Sequence, residues 1–445
     1  MAAPIEYLSA EDESVCSRCH DTKAVLITRK EKFCTKCFAR FVRSKQRKSM
    51  PDDKYKVKYG PRAEDALPKV LVTVSLGSSS LVMLDVMISL LQEQAEMHKG
   101  KQGFEIVVLN IDQSKTMLLE KHAKSIMPHL EQFWPVKFTH KCLSVDSYII
   151  DQELLQRITL YPDFTAMASN TNLSSEITLT ELLKRCPNKS SAEDLLTIVY
   201  DELILRTAHV EKCETILYGH NMTRIANEII ALTVKGRGSS IHEKISDRTT
   251  VYRSNDYKII YPLRDVLQAE VDAYAKLMNL DQFIVRSTIP QSKINRNMTI
   301  RELTTQYFNM LDATGYASTA STVVKTGDKL GPPKFQEVSQ TCQVCGIEIH
   351  QNPIHWLRRI TVNEAAPIET EEELEYVKLY QDLVGKNETT DETNGESKPL
   401  QICYGCTVTL GGIKATEGFV WPVKGNEQQE NAEILNEYIL TDDEE

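Results

Sequence analysis

The chain reads as an α/β protein: a parallel sheet covered by helices on both faces, with a cysteine-bearing module on either side. Three observations predict this. Short continuous apolar runs alternate with helix-length amphipathic stretches between residues 69 and 277, the pattern of strand–helix–strand units in a buried parallel sheet. Four Cys-x-x-Cys pairs stand outside that region, two before it and two after it. Hydrophobic residues make up 41% and charged residues 26% of the chain, the balance of a soluble globular protein with material for a sizeable core.

Along the chain, Ala24–Thr28 is a short β-like run between two cysteine pairs. A basic helix follows, from Phe38 to about Lys48, and Pro51, Gly60 and Pro61 mark a linker. Lys69–Ser75 is a buried strand ending in the turn Leu76-Gly77-Ser78-Ser79-Ser80. Leu81, Leu84, Met87, Ile88 and Leu91 then recur at helical spacing as far as His98. Phe104–Ile111 is a second buried strand, 114–127 a helix and Val136–His140 a third strand. A long amphipathic helix spans Ala192–His209. Thr215–His220 is a fourth strand, after which Asn221 caps the helix Met222–Lys235. Lys258–Leu263 is a fifth strand, and a helix follows it to Leu277. Ligands of such sheets sit at the carboxyl ends of the strands, which puts Ser75–Ser80 and Gly219–Asn221 on one rim.

The cysteine pairs are Cys16/Cys19, Cys34/Cys37, Cys342/Cys345 and Cys403/Cys406. Two intervening residues let both thiolates of a pair reach one ion, and two pairs complete a closed tetrahedral shell. Fourteen residues separate the first two pairs, close to zinc-ribbon spacing. The other two are 57 residues apart, the excess being a polar, acidic insertion from Glu369 to about residue 398 that contains one short helix, Glu372–Leu383. Disulfides suit an oxidising compartment, and a redox Cys-x-x-Cys stands alone rather than in quartets. Zinc ranks above iron–sulfur ligation because small knuckle folds depend on a metal for stability. Two structural zinc ions and no iron–sulfur cluster are therefore expected. His20 is an alternative ligand beside Cys19. The isolated Cys142, Cys186 and Cys213 read as small buried hydrophobes.

The net charge of −10 excludes a generally basic nucleic-acid coat. Charge is uneven, however. Lys36, Arg40, Arg43, Lys45, Arg47, Lys48, Lys54, Lys56, Lys58 and Arg62 form a basic stretch, and residues from 426 onward are acidic. The basic stretch is either a polyanion-binding patch or a solvated helix face, and Lys235 with Arg237 forms a second small basic loop. The acidic end reads as a solvated tail. The start, MAAPIEYLSAEDES, lacks an apolar leader, and no run is long enough to span a membrane. A reducing compartment and no membrane partner are expected.

Ser75, Gly77 and Ser80 match a pyrophosphatase-type phosphate loop, Ser-Gly-Gly-x-Asp-Ser, but Leu76 stands for a Gly and Ser79 for the Asp. Tyr218-Gly219-His220-Asn221 resembles the Gly-His-Asn motif of that fold's fourth strand. Ile260-Tyr-Pro-Leu-Arg-Asp265 resembles its Arg-Pro-Leu segment, with Tyr261 where Arg is common. With the flanking cysteine pairs, the chain is similar to the cytoplasmic tRNA 2-thiolation protein 2 family, the subunit of a wobble-uridine thiolation heterodimer whose loop is degenerate. Only the insertion and tail fall outside the resemblance.

The resemblance implies an adenine-nucleotide alpha-hydrolase-like α/β domain over 61–335, after a zinc ribbon with a basic helix at 1–60. A second zinc module at 336–420 and an acidic tail at 421–445 follow it. It implies cytoplasmic 2-thiolation of the wobble uridine (U34) of tRNA-Lys, tRNA-Glu and tRNA-Gln, with sulfur from a thiocarboxylated ubiquitin-related modifier. Leu76, Ser79, Thr223 in place of an acid, and the lack of a mid-domain cysteine pair all depart from active members. Ser75, Gly77, Ser78, Ser79, Ser80, Gly219, His220 and Asn221 then form a vestigial nucleotide loop, and efficient ATP activation is not expected. A non-catalytic subunit that binds tRNA and an active paralogue is the reading; an autonomous ATP-dependent sulfurtransferase and a zinc-dependent adaptor are its rivals.

Overall fold

The computed structural model describes residues 5–9, 11–51, 53–59, 66–114, 123–149, 154–161, 164–170, 177–286, 298–316, 318–331, 340–350, 352–354, 356–357, 370–387, 398–413 and 418–424. Its strands, in chain order, begin with β1 (Ile5–Tyr7), β2 (Leu26–Thr28), β3 (Glu31–Phe33), β4 (Lys69–Thr73), β5 (Glu105–Asp112) and β6 (Thr139–Ser144). They continue with β7 (Leu155–Leu160), β8 (Ala166–Asn170), β9 (Cys213–Leu217), β10 (Arg248–Tyr252), β11 (Asn255–Ile260), β12 (Gln340–Thr341), β13 (Glu348–Ile349), β14 (Lys398–Leu400) and β15 (Phe419–Pro422). The helices begin with α1 (Thr35–Ser49), α2 (Ser78–Met97), α3 (Ala123–Phe133), α4 (Leu179–Lys184), α5 (Lys189–Glu211) and α6 (Met222–Val234). Then come α7 (Ile241–Ile245), α8 (Gln268–Leu277), α9 (Ile300–Ala313), α10 (Ser318–Gly327), α11 (Glu371–Asn387) and α12 (Tyr404–Leu410).

The chain forms two compact units, one of residues 1–148 with 193–332, the other of 149–192 with 333–445. In the first, a six-stranded sheet runs β10-β11-β9-β4-β5-β6. All its neighbours are parallel except the β10–β11 hairpin. The expected α/β class and parallel sheet are both present. Successive residues face opposite ways: Val70, Val72, Ile106 and Val108 join one core cluster, whereas Leu71, Val107 and Leu109 join the other. Both faces are therefore buried, which is why these strands read as unbroken apolar runs. From β4 the chain moves outward through β5 and β6, then returns to add β9 on the other side. The carboxyl ends of β4 and β9 thus form the topological switch point, where such sheets bind ligands.

The cysteine ribbon shares this core. Leu26, Phe33, Phe38, Val42, Met50 and Tyr55 pack in the same cluster as Val72 and Leu81. β1, β2 and β3 form an antiparallel sheet, whose β2–β3 turn places Arg29 and Lys30 both at positive φ, as a two-residue type I′ hairpin requires. Arg29 reaches across to α8, where its guanidinium donates to both oxygens of Glu270 at 2.7 and 2.8 Å. Thr28 Oγ1 donates to the same carboxylate, and Glu270 has no exposed surface. On α1, Arg43 Nε donates to Tyr274 Oη at 3.0 Å, and Tyr274 in turn donates to Asp85, which also accepts from Trp134 Nε1. The ribbon and α1 are thus bolted to α8 and α2 within one core.

Several elements differ from expectation. α2 starts at Ser78, one turn before the first periodic apolar residue. β9 ends at Leu217, so Tyr218–Asn221 lie beyond the strand, in the switch-point loop. α9 and α10 were not expected, nor was any sheet in the second unit. There, β14-β8-β7-β15 form an antiparallel sheet, so residues 149–192 group with the carboxyl-terminal unit rather than the 61–335 domain. β15 includes Trp421, fully buried and stacked on Phe419 at 5.6 Å, so residues 421–424 are core rather than acidic tail. α11 extends beyond the expected 372–383, and Lys398 already belongs to β14. Residues 388–397 and 425–445 lie outside the described residues, as does the linker at 60–65. No helix among the described residues is long and apolar enough to cross a membrane.

Candidate metal centres and the strand-to-helix loop

Each cysteine quartet closes on itself. Within each group the four sulfurs lie within 4.8 Å of one another, and these are the metal-capable groups among the described residues. Cys19 Sγ and Cys34 Sγ are 3.9 Å apart, and Cys345 Sγ and Cys403 Sγ 3.7 Å. A tetrahedral ion with metal–sulfur bonds of about 2.3 Å requires sulfur–sulfur edges of about 3.8 Å. The sulfurs therefore fit one ion per group. His20 is exposed and is not a member of the group.

Local backbone supports the ligands. Cys34 is the N-cap of α1, its Sγ accepting from Cys37 N–H at 3.4 Å, and Cys403 caps α12 in the same way from Cys406 N–H. Arg18 N–H donates to Cys16 Sγ and Cys403 N–H to Cys342 Sγ. Gly346 takes φ +74°, and its N–H closes the knuckle onto Cys342 O at 2.7 Å. Such N–H donors stabilise thiolates. Hydrogen bonds from Thr22, side chain first, then from the Asp21 backbone, bring Cys19 down to about 6. Burial and then the neighbouring thiols lift Cys37 to about 12. In the second group Cys342 lowers Cys403, while burial lifts Cys342 and the neighbouring thiols lift Cys406. A dication bound in such a quartet would supply the positive charge needed to hold all four thiolates. Of the other cysteines Cys213 is buried as expected, whereas Cys142 and Cys186 are only half-buried.

The switch-point loop joins the residues expected on one rim. A Cβ on Gly219 would lie 2.9 Å from Ser80 Cα, so glycine there permits the close approach of the β9 loop to α2. Asn221, fully buried, caps α6 by accepting from Arg224 N–H, and its Nδ2 donates to Ser79 Oγ at 2.8 Å and Gln268 Oε1 at 2.6 Å. Gln268 Nε2 donates to Ser78 Oγ at 3.1 Å. Ser80 Oγ donates to Gly77 O and lies 3.4 Å from Ser75 Oγ. The Ser78 and Ser79 oxygens therefore accept from neighbouring side-chain amides. Gln268, at the start of α8, is the member of this set that the sequence reading missed; it follows no motif and is found only through contact.

Leu76 takes φ +61°, a conformation that favours glycine and costs a side-chain-bearing residue about 1–2 kcal/mol. Its side chain is 1% exposed within the core, and burying a leucine contributes about 1.5–3 kcal/mol. Burial thus outweighs the strain and keeps a bulky residue where a phosphate loop needs bare backbone. His220 stacks on Tyr261 at 5.6 Å with Tyr218 alongside. Burial first, then Arg224, lowers its imidazole to about 4, so it is neutral at pH 7. Tyr261 Oη donates to Lys244 O, a structural bond where an arginine would offer charge. Thr223 Oγ1 accepts from Gln268 N–H at the start of α8.

The basic stretch divides. Arg43 is half-buried on Tyr274 and Asp85, Arg47 pairs with Glu93, Lys54 with Glu214, and Lys56 with Asp53. Lys45 lies over the Phe41 ring, its ammonium lowered by burial and then by Arg29. Lys58 is half-buried, and Arg62 lies outside the described residues. Lys36, Arg40 and Lys48 remain exposed on α1. The expected second basic loop is overturned. Lys235 and Arg237 are each 6% exposed; Arg237 pairs with Asp194 at 2.6 Å, and Lys235 lies 3.7 Å from both Glu193 and Asp194.

Comparison with known proteins adds sequence relationships to this geometry. A family model described as "Cytoplasmic tRNA 2-thiolation protein 2" matches residues 299–408. A curated protein of that name from Debaryomyces hansenii is 61% identical over 100% of this chain and 99% of its own length. One from Scheffersomyces stipitis is 56% identical over 99% of each. Among solved structures, the U34-tRNA thiolase NcsA from Methanococcus maripaludis with its [4Fe-4S] cluster matches with a TM-score of 0.49 and 14% identity, over 80% of this chain and 99% of that one.

Proposed function

The chain belongs to the cytoplasmic tRNA 2-thiolation protein 2 family, and on that premise we propose that it is the non-catalytic subunit of a heterodimeric tRNA thiolase in the cytoplasm. In this reading it is required for 2-thiolation of U34 in tRNA-Lys, tRNA-Glu and tRNA-Gln, and the sulfur comes from a thiocarboxylated ubiquitin-related modifier. It binds tRNA and the active paralogue, which carries out the chemistry. Each cysteine quartet holds one zinc ion in a closed, structural shell. These ions do no chemistry: they fix the knuckles that carry the helices α1 and α12.

The observation that carries the non-catalytic role is the switch-point loop. A nucleotide-activating loop keeps its backbone N–H groups and hydroxyls available to phosphate. Here Ser79, which stands for the motif's acid, accepts from Asn221 Nδ2, Ser78 accepts from Gln268 Nε2, and Leu76 replaces a glycine of the motif and turns its side chain into the core. The RNA role rests on Lys36, Arg40 and Lys48, exposed on a helix fixed at one end by the first quartet. Lysine and arginine contacts to phosphate supply most sequence-independent affinity.

The test is wobble-uridine thiolation in cells lacking the protein, rescued by a chain carrying Ser78→Ala and Ser79→Ala. Thiolation within twofold of wild type is expected, because the changes remove only internal hydrogen bonds worth about 1 kcal/mol each. A tenfold loss of thiolation by a variant that melts normally would overturn the non-catalytic reading.

A further inference from the structure

The six-stranded sheet ends at β10, and the outer side of that strand is open. Arg253 and Ser254 both take positive φ, so a two-residue turn joins β10 to β11, and Tyr252 and Asn255 are its closing hydrogen-bonded pair. Hydrogen-bonded and non-hydrogen-bonded pairs alternate along an antiparallel ladder. Thr250 therefore exchanges bonds with Tyr257, while Thr249 and Val251 turn their N–H and C=O groups away from β11. Both residues are exposed, Val251 by 69%. An uncovered edge of this kind is a template for another strand. Proline and bulges are usual devices that blunt an edge. β10 reads Arg-Thr-Thr-Val-Tyr, and its register with β11 is unbroken.

We propose that β10 pairs with β10 of a second copy of this chain, antiparallel, about a two-fold axis at Thr250. This surface is independent of the thiolation reading, because it joins two copies whether or not each carries a paralogue.

Backbone parity and charge select both the occupant and the register. New ladder bonds form only between residues that point outward, so the axis falls at Thr249, Thr250 or Val251. With the axis at Thr250, Thr249 of each copy exchanges N–H···O bonds with Val251 of the other, and two such pairs form. The same register sets Asp247 opposite Arg253 of the second copy, at both ends of the ladder. Asp247 and Arg253 are exposed, and opposite charges placed across a ladder attract. Moving the axis to Thr249 sets Asp247 opposite Val251, and moving it to Val251 sets it opposite Asn255. Only the central register satisfies the edge and pairs both charges. An unrelated extended peptide could satisfy the backbone bonds, but it gains the two charge pairs only by chance. β10 is five residues long, so the pairing buries less than a standard interface, and the association is weak, with a Kd on the order of tens of micromolar.

The test is sedimentation of the full chain from about 2 to 200 µM, a range that spans such a Kd. A reversible monomer–dimer equilibrium is expected. Val251→Pro removes an outward N–H without breaking a β10–β11 bond, and Arg253→Asp sets like charges at both ends of the ladder. Each is expected to weaken dimerisation at least tenfold with the Tm of the monomer retained. Asp247→Lys should fail to self-associate in the same way. Mixed with Arg253→Asp it should restore the dimer, since each chain then meets its opposite charge. If Asp247→Lys does not fold, Thr250→Cys reads the register instead. Its two sulfurs meet at the axis in a non-hydrogen-bonded pair with Cα atoms about 4.5 Å apart, within disulfide span. That variant should cross-link between chains under mild oxidation, where wild type and Thr249→Cys do not. The proposal is overturned if the wild-type chain stays monomeric throughout the range, including the case where only the paralogue or a peptide protects β10 from hydrogen exchange. It is equally overturned if dimerisation survives both Val251→Pro and Arg253→Asp within twofold.

Discussion

Cys34 and Cys403 hold the same local position: each caps the helix that follows it, and each sulfur accepts the N–H three residues on at 3.4 Å. Their surroundings differ. The first quartet is partly open, with Cys19 exposed, and leads into the 15-residue α1. That helix is held independently by Phe38 and Val42 in the core and by the Arg43–Tyr274–Asp85 chain. The second leads into the seven-residue α12 and is approached by a hairpin whose strands are two residues each. It also closes a much longer stretch of chain, which raises the entropy lost on closure. The contrast predicts two roles for bound ions: one in the first quartet would trim a module that tertiary contacts already hold, and one in the second would be the main hold on its module.

The largest effect that can break this contrast is loss of a ligand. Cys406→Ser is expected to release one of two metal ions and open the second unit around 340–350 and 403–413, since structural zinc contributes about 10 kcal/mol or more to folding. Native mass spectrometry gives the ion count and limited proteolysis the opening. Cys19→Ser, at the exposed corner of the first quartet, should lower the Tm of the first unit by only about 5 °C. Equal unfolding by both variants would end the distinction.

Acid sharpens it next, because it tests the first unit's own core. His220 is lowered to about 4 in the fold, so below the ordinary imidazole value the unfolded chain takes up a proton that the folded one refuses. Stability from this group is complete above about pH 6.5 and is lost as pH falls toward 4, by up to roughly 2–3 kcal/mol. Glu228 follows at lower pH. Burial would raise its carboxyl, but hydrogen bonds from Arg301 prevail and bring it to about 2, so its contribution is lost below the usual carboxylate range. Urea midpoints should fall between pH 7 and 4.5, and His220→Gln should flatten that slope. An unchanged slope would show that the imidazole is not buried neutral.

The smallest stability effect is expected on the outer face of α1. Lys36→Glu, Arg40→Glu and Lys48→Glu together should change stability by only about 0.5 kcal/mol per site while lowering tRNA affinity of the complex and its salt slope by roughly 2–3. Unchanged affinity and slope would leave α1 with only its buried role.

The α/β sheet, four of its helices and the grouping of the cysteines into two quartets were legible because their signals are local. A Cys-x-x-Cys pair, an apolar run or an Asn cap is complete within a few residues. The second sheet was not legible. β7 and β8 alternate only weakly, and their partners β15 and β14 lie more than two hundred residues away. Nor was the pairing of Lys235 and Arg237, which depends on Glu193 and Asp194 from another helix. In the basic stretch, the sequence shows ten cations but not which of them are paired.

Spacing alone therefore decided that there are two sulfur cages and a strand-to-helix loop beside them, since thiolate geometry and helix capping act over one turn of chain. Which side chains meet that loop's serines was decided by tertiary structure. Asn221 reaches Ser79 across 142 residues, and Gln268 reaches Ser78 across 190. Arg29 meets Glu270 across 241, which joins the ribbon to the same helix that closes the loop. Hydrogen bonds and ion pairs depend on distance in space, and only the folded chain sets that distance.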